Sequence, residues 1–218
     1  MVKFSNDADI LKYEPILFGE FHLPWQIISQ GTGGVILGTG FTAADADFIT
    51  ANVSPGQVIY LSNAALTIDG AFEIVSVDSA TQLTVSVLRV DSQSNAVAPP
   101  QGSDINYRIS TFDPQACEAA FALTEFFAIK PGAPASDIEA EDILAPDVLK
   151  RASVFAVISA VYAMLTGRND DEAFWKKSNY YRKCFESARA TARLSIDTGD
   201  DGIAERTSSG GAIRLTRD

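Results

Sequence analysis

The chain has very little of the chemistry that most enzymes need. It contains one histidine, His22, and two cysteines, Cys117 and Cys184, among 218 residues. A nucleophile–base pair needs a histidine or an equivalent base, and zinc or iron sites need clustered cysteines and histidines. His22 follows no such pattern, and both cysteines fall on helical patterns, which predicts buried or half-buried free thiols. We therefore expect no catalytic residue, no resident metal and no cofactor.

Long apolar runs and positive charge are also scarce. No apolar run reaches the ~18 residues that a membrane span requires, and the N-terminus does not have the basic and apolar regions of a signal peptide. We expect no membrane partner. The formal net charge is −11, and residues 1–112 hold 4 basic and 11 acidic side chains. Such a surface repels nucleic acid. The apolar fraction of 46% is enough to build a core.

Residues 21–112 are rich in glycine, threonine, valine and isoleucine. Short runs with β character are separated by Gly and Asp turns, and they occupy residues 35–37, 58–61, 71–77, 83–88 and 106–110. This spacing predicts a small antiparallel β-barrel or sandwich. Residues 31–40 are glycine-rich, but no Gly-Lys-Ser/Thr follows and no helix begins there, which excludes a phosphate-binding loop. We predict a flexible lead-in to the barrel instead.

The remaining residues have helical patterns. A short helix is expected over residues 5–18, a second from Asp113 to about residue 129, and an almost wholly apolar one over residues 148–165. A long helix follows from about residue 171 to 195. The predicted fold class is α+β, a helical bundle with an inserted barrel or sandwich and an extended C-terminal tail. The predicted segments are residues 1–20 (N-terminal helix of the helical domain), 21–112 (β insertion), 113–196 (helical bundle) and 197–218 (tail).

The long helix combines an apolar stripe with a basic outer side. Its predicted stripe consists of Phe174, Ser178, Tyr181, Phe185, Ala188 and Ala192. The candidate subunit-interface residues are Lys176, Lys177, Arg182, Lys183, Arg189 and Arg193 on this helix, and Ile213, Arg214, Leu215 and Arg217 in the tail. We interpret the basic side as a solvated face or as a source of ion pairs between subunits, in preference to a DNA contact.

An acidic turn follows the long helix. Asp197, Asp200, Asp201 and Glu205 surround two glycines, as in a calcium loop. When Gly202 is aligned with the sharp turn of such a loop, two ligand positions fall on Gly199 and Ser208, which are not carboxylates. A solvated turn after a helix end is therefore the favoured interpretation, and calcium binding the alternative.

Several stretches together resemble the head–tail connector (adaptor) proteins of tailed double-stranded DNA phages. They are residues 7–15, which resemble the first helix of that family, and residues 147–152, 170–183, 194–197 and 199–202, which match its last two helices and the turn after them. Residues 53–60 and 69–77 are similar to small β-barrel modules of phage virion proteins. The large β insertion departs from the shortest family members, which are nearly all helical.

The resemblance implies a structural protein of the virion neck, made in the bacterial host cytoplasm and without enzymatic activity. It implies a homo-oligomeric ring, a dodecamer, which binds the portal protein and stopper or tail proteins while genomic DNA passes through the lumen without specific binding. One alternative is a stopper or tail-completion protein. Another is a carbohydrate-binding module with Trp25, Tyr60 and Tyr107 as a stacking platform, or a calcium-binding module.

Overall fold

A computed structural model describes residues 2–167 and 172–209, and these residues form two compact units. One unit is Asn6–Phe112, and the other joins Met1–Ser5 to the chain from Asp113 onward. The structure therefore corrects the assignment of residues 1–20 to the helical domain. Residues 6–20 belong to the barrel unit because the backbone N–H of Ala8 donates to the carbonyl of Gly56, at 2.9 Å.

The opening helix is shorter than predicted. Helix α1 covers Asp7–Leu11, with Asn6 as its N-cap and a reciprocal hydrogen bond between the Asp9 side chain and the Asn6 backbone. A separate 3₁₀ turn, Pro15–Leu17, begins at the proline. Proline lacks a backbone N–H and cannot extend the helix, so the helix predicted over residues 5–18 is divided.

The β region is a closed six-stranded antiparallel barrel. Its strands are β1 (Ile27–Leu37), β2 (Gly40–Thr42), β3 (Val58–Ser62), β4 (Asp69–Ser79), β5 (Gln82–Ser86) and β6 (Gly102–Ser110). The order around the barrel is β1-β2-β5-β4-β3-β6. The α+β class and the barrel are thus confirmed. Closure pairs β1 with β6, strands that are far apart in the sequence, which removes free sheet edges.

Aromatic and aliphatic side chains fill the barrel. The rings of Phe41 and Phe48 both make edge contacts with the ring of Tyr107, with centroid distances of 5.4 Å and 5.8 Å. The two phenylalanine rings are tilted relative to each other. The other fully buried members of this core include Ile59, Leu61, Ile68, Ile74, Leu83, Val85, Ile105 and Ile109. A small barrel filled in this way is a packed core.

Residues 31–37 of the glycine-rich stretch belong to strand β1, and residues 38–39 form the turn into β2, which begins at Gly40, so the prediction of a flexible lead-in at residues 31–40 was wrong. A Cβ at Gly31 would lie 2.7 Å from a ring carbon of Tyr107, and a Cβ at Gly34 would lie 2.6 Å from a ring carbon of Phe41. The glycines therefore let the strand pass close over the buried rings. The register between β1 and β6 shifts at these positions, consistent with bulges.

The described residues of the second unit include the α-helices α2 (Asp113–Phe126), α3 (Asp147–Thr166) and α4 (Glu172–Thr191), followed by a short hairpin. Helix α3 packs against both α2 and α4. By length and composition alone, α3 is long and apolar enough to cross a membrane, because an 18-residue stretch of it has a mean hydropathy of 1.6. However, 56% of that stretch is buried within the protein. A core helix passes the same test, and this burial indicates a core role.

The long helix ends earlier than predicted, and the predicted extended tail begins as a hairpin. After Thr191 the chain forms β7 (Arg193–Ile196), which pairs with β8 (Arg206–Ser209). Leu194 and Ile196 are fully buried while Arg193 and Ser195 are exposed, which is the alternation of a strand. The other edge of β7 bonds to the connector before α3, where the N–H of Leu144 donates to the carbonyl of Ser195.

Candidate functional site

The apolar stripe predicted for α4 is the face that packs into the helical unit. Phe174, Ser178 and Tyr181 are buried, and Phe185 and Ala188 are partly buried in the core. Tyr162 of α3 stacks on this stripe, with its ring centroid 5.9 Å from that of Phe174. Because this face is directed inward, the opposite side of α4 faces solvent.

The six basic residues predicted on α4 do not act as one group. Lys177 and Arg189 are directed toward their own unit: the Nζ of Lys177 donates to the Tyr162 hydroxyl at 2.9 Å, and the Arg189 guanidinium lies 4.1 Å from the centroid of the Phe126 ring. Both side chains therefore have partners within their own unit, and their part in a subunit interface stays a prediction. A long basic side chain can cover aromatic surface with its stem and charge, a contact that sequence spacing does not reveal.

The remaining four basic residues lie on the outer side of the unit. Lys176 forms an ion pair with Glu172 at 3.0 Å, and Arg182 donates to the Asn179 amide oxygen at 3.0 Å. Lys183 and Arg193 are exposed and have no ion pair within the described residues. The predicted tail residues Ile213, Arg214, Leu215 and Arg217 lie outside the part of the chain that the structure describes.

A groove runs between α3 and α4 beside these cations. It has a volume of 370 Å³ and is lined by Arg151, Phe155, Tyr180, Lys183, Cys184, Ser187, Ala188 and Thr191. Phe155 and Ala188 provide apolar surface, while Arg151 on α3 and Lys183 on α4 provide positive charge. The Arg151 guanidinium lies 5.3 Å from the centroid of the Phe155 ring. A hydrogen bond with the Cys184 side chain raises the pKa of the Tyr180 hydroxyl.

Two exposed aromatic side chains stand on the outer side of α4. Trp175 is 53% exposed and Tyr180 is 62% exposed. Single exposed apolar residues are ordinary, but Trp, Tyr and Arg are the residue types enriched at protein interfaces, and Trp175, Tyr180 and Arg182 are all exposed on this helix.

Helix α2 presents a face of opposite charge. Glu118, Phe121 and Glu125 are exposed, and their spacing of three and four residues places them on one side of the helix. Phe121 is 47% exposed. Ala120 and Leu123, on the other side, are buried in the core of the unit. Neither this face nor Arg151 was among the predicted interface residues, although the spacing of Glu118, Phe121 and Glu125 could have indicated the acidic face.

The acidic turn lies between β7 and β8. Carboxylate oxygens of Asp197, Asp201 and Glu205 lie within 4.8 Å of one another, whereas Asp200 is not part of this group. The Asp197 carboxylate accepts the backbone N–H groups of Gly199 at 3.0 Å and Gly202 at 2.7 Å. Calcium takes six to eight oxygen ligands, so this group supplies only part of a calcium shell. Its hydrogen bonds fit a carboxylate-stabilised turn.

The barrel does not assemble the predicted aromatic platform. Tyr60, Tyr107 and Arg108 line a polar depression of 440 Å³, and Trp25 is not among its lining residues. Tyr107 is only 6% exposed because it belongs to the barrel core. The Arg108 guanidinium lies 5.0 Å from the centroid of the Tyr60 ring, so one side of that ring is partly covered. Burial lowers the pKa of Arg108.

The single histidine of the chain has a structural contact. The Nδ1 atom of His22 lies 2.9 Å from the carbonyl oxygen of Gly19, a distance at which an N–H donates to that oxygen. Both cysteines are free and half-buried, as their helical patterns predicted.

No protein-family model, no curated protein and no solved structure matches this chain. Its function must therefore be inferred from its own residues and geometry.

Proposed function

We propose that this protein is a structural component of a phage neck, a head–tail adaptor. Copies of the chain would form a dodecameric ring under the portal, extend the DNA channel and join the capsid to the tail. The proposal draws on the resemblance of residues 7–15, 147–152 and 170–183 to that family. It assigns no reaction to the protein.

One observation carries the proposal: the outer side of α4 combines exposed aromatic residues with cations. Trp175 and Tyr180 are more than half exposed, and Lys183 lies within one turn of Tyr180. Helix α4 spans 20 residues, about 30 Å. A rigid helix of this length with such a surface is suited to contacts between subunits.

The charge of the chain is compatible with a DNA channel. With a net charge of −11, a ring of copies would carry a large negative charge, and an acidic lumen would repel the phosphate backbone. DNA could then slide through without sticking. The C-terminal residues Ile213, Arg214, Leu215 and Arg217 would supply apolar and charged contacts to the portal.

The mass of the purified protein tests the proposal. Light scattering after size exclusion, with the protein alone and with the portal protein of the same phage, should give the mass of a ring or of a ring–portal complex. A chain that stays monomeric under both conditions would rule out the adaptor role. Imaging of intact particles would separate an adaptor directly beneath the portal from a stopper in a layer closer to the tail.

A truncation tests the tail contact. Removal of residues 210–218 leaves strand β8 (Arg206–Ser209) in place, so the hairpin with β7 is retained. We expect this truncated protein to fold and to lose portal binding. Substitution of Arg206 with Ala, at an exposed position just before the truncated segment, serves as the control and should leave portal binding unchanged. Unchanged portal binding by the truncated protein would contradict the role given to the tail.

A further inference from the structure

Two surfaces of the helical unit are complementary, yet they lie on different helices. The acidic face of α2 consists of Glu118, Phe121 and Glu125. The basic groove lies between α3 and α4, with Arg151 on one wall and Lys183 on the other. Each surface has a central apolar or aromatic part and two exposed charges.

The four charges of the two surfaces form no ion pairs within the chain. None of Glu118, Glu125, Arg151 and Lys183 takes part in an ion pair within residues 2–167 and 172–209. Elsewhere on these helices Lys176 pairs with Glu172 and Lys150 with Asp147, while Arg182 and Glu186 are exposed without an ion pair among the described residues. The four charges of the two surfaces are therefore available to pair with another copy.

The dimensions of the surfaces match. Glu118 and Glu125 are seven residues apart on one helix face, a separation of about 10 Å along the axis. Phe121 lies between them with 47% of its surface exposed. The groove has a volume of 370 Å³ and an apolar wall that includes Phe155 and Ala188. One aromatic ring fits this space, with a carboxylate on each side of it.

We propose that the α2 face of one copy docks into the α3–α4 groove of the next copy, with Phe121 in the groove and the two glutamates paired with Arg151 and Lys183. The inner side of α2 is part of the core shared with α3 and α4, so its outer face points away from the groove of its own chain. The contact therefore requires a second copy. Because each copy offers both surfaces, the interface is heterologous and can close into a ring. This inference rests on the proposed ring function and identifies the contact between its subunits.

Charge reversal tests the pairing. One variant carries Glu118→Lys and Glu125→Lys, and the other carries Arg151→Glu and Lys183→Glu. We expect each variant alone to self-associate at least about 100-fold more weakly than the unmodified protein, since like charges placed across an interface cost several kcal/mol. In an equimolar mixture, the reversed α2 face of one variant meets the reversed groove of the other, and the two unmodified surfaces meet at the next contact. Opposite charges then face each other at both contacts, so the mixture should assemble again. The readout is the mass by light scattering, with the portal protein added if the unmodified ring needs it.

The mixture separates a lost contact from a damaged fold, because misfolded variants would not rescue one another. The control matched to the glutamate variant carries Asp137→Lys and Glu141→Lys, which makes the same charge change at exposed positions of the connector. This control should assemble like the unmodified protein.

The native cysteines provide a second measurement. Cys117 is adjacent to Glu118 and Cys184 lines the groove. In a mixture of ¹⁴N- and ¹⁵N-labelled protein, a short bismaleimide should join Cys117 of one isotope to Cys184 of the other.

The outcomes of the two proposals can be distinguished. If the unmodified protein forms rings but both reversed variants do so equally well, the docking inference is overturned while the adaptor function stands. If the variants fail and their mixture does not recover, the groove binds another acidic partner or the substitutions damage the fold, and the inference is likewise rejected. If the unmodified protein forms no oligomer even with the portal, both proposals fail.

Discussion

Replacement of Arg89 with Ala should destabilise the barrel unit strongly. The Glu73 carboxylate on β4 accepts two side-chain hydrogen bonds from Arg89, at 2.7 Å from Nη2 and 3.2 Å from Nε, and the Arg89 backbone N–H at 3.2 Å. The side chains of Glu73 and Arg89 are only 8% and 9% exposed. The guanidinium also donates to the carbonyls of Ser92 and Ser94, which fixes the loop before β6 to the barrel wall.

The size of the effect follows from burial. Removal of one partner leaves a buried carboxylate without its counter-ion, which costs about 3–5 kcal/mol, whereas replacement of both partners by apolar residues of similar volume is often neutral. We therefore expect Arg89→Ala to cost about 3–5 kcal/mol and the double variant Glu73→Leu, Arg89→Met to cost less than about 1 kcal/mol. The hydrogen bond to Glu73 raises the pKa of Arg89. The stabilisation by this ion pair is therefore fully present at pH values below the ordinary arginine pKa, and it is lost only as the pH rises through the raised pKa of the folded state.

Urea unfolding with tryptophan fluorescence can report on the barrel unit alone. The chain has two tryptophans, Trp25 in the barrel unit and Trp175 in the helical unit. In a Trp175→Phe background, the fluorescence of Trp25 follows the barrel. The control is Lys12→Ala in the same unit, which removes a partly exposed ion pair to Asp9 and should cost less than about 1 kcal/mol. If Arg89→Ala costs no more than the double variant, the argument from the buried unpaired charge is refuted.

Three further predictions concern single positions. Leu194→Ala should cost about 2–5 kcal/mol in urea unfolding of the helical unit, because Leu194 is fully buried; a cost below 1 kcal/mol would contradict the placement of β7 in the core. Gly132→Ala should cost roughly 1–3 kcal/mol by overpacking, since its Cβ would lie 2.4 Å from the backbone nitrogen of Glu125; unchanged thermal unfolding would count against this. The hydrogen bond from Tyr60 to Asp69 raises the pKa of Tyr60 above 10.0, so its stabilisation is complete below pH 10 and disappears as pH rises through the folded-state pKa. The stability difference between the unmodified protein and Tyr60→Phe, about 0.5–1 kcal/mol near neutral pH, should therefore vanish in strong alkali, and a difference that does not change with pH would contradict this.

The candidate site illustrates the limits of a single sequence. The stripe from Phe174 to Ala192 was predictable because helical periodicity is local and each buried position recurs after three or four residues. The partners of the basic residues were not predictable, since Lys177 contacts Tyr162 and Arg189 covers Phe126, each on a different helix. The groove joins Arg151 to Lys183, residues on two different helices.

The sequence by itself determined the positions of the three long helices, the β character of the region before Phe112 and the buried face of α4, because these properties depend on spacing among near neighbours. The tertiary structure decided how the barrel closes, where residues 6–20 belong and why the chain after Thr191 is a strand. Leu194 and Ile196 lie in a segment that continues a helical pattern, and only the core below them and the paired backbones on both sides favour the extended form. Such pairing joins residues that are distant along the chain, so no local pattern can specify it.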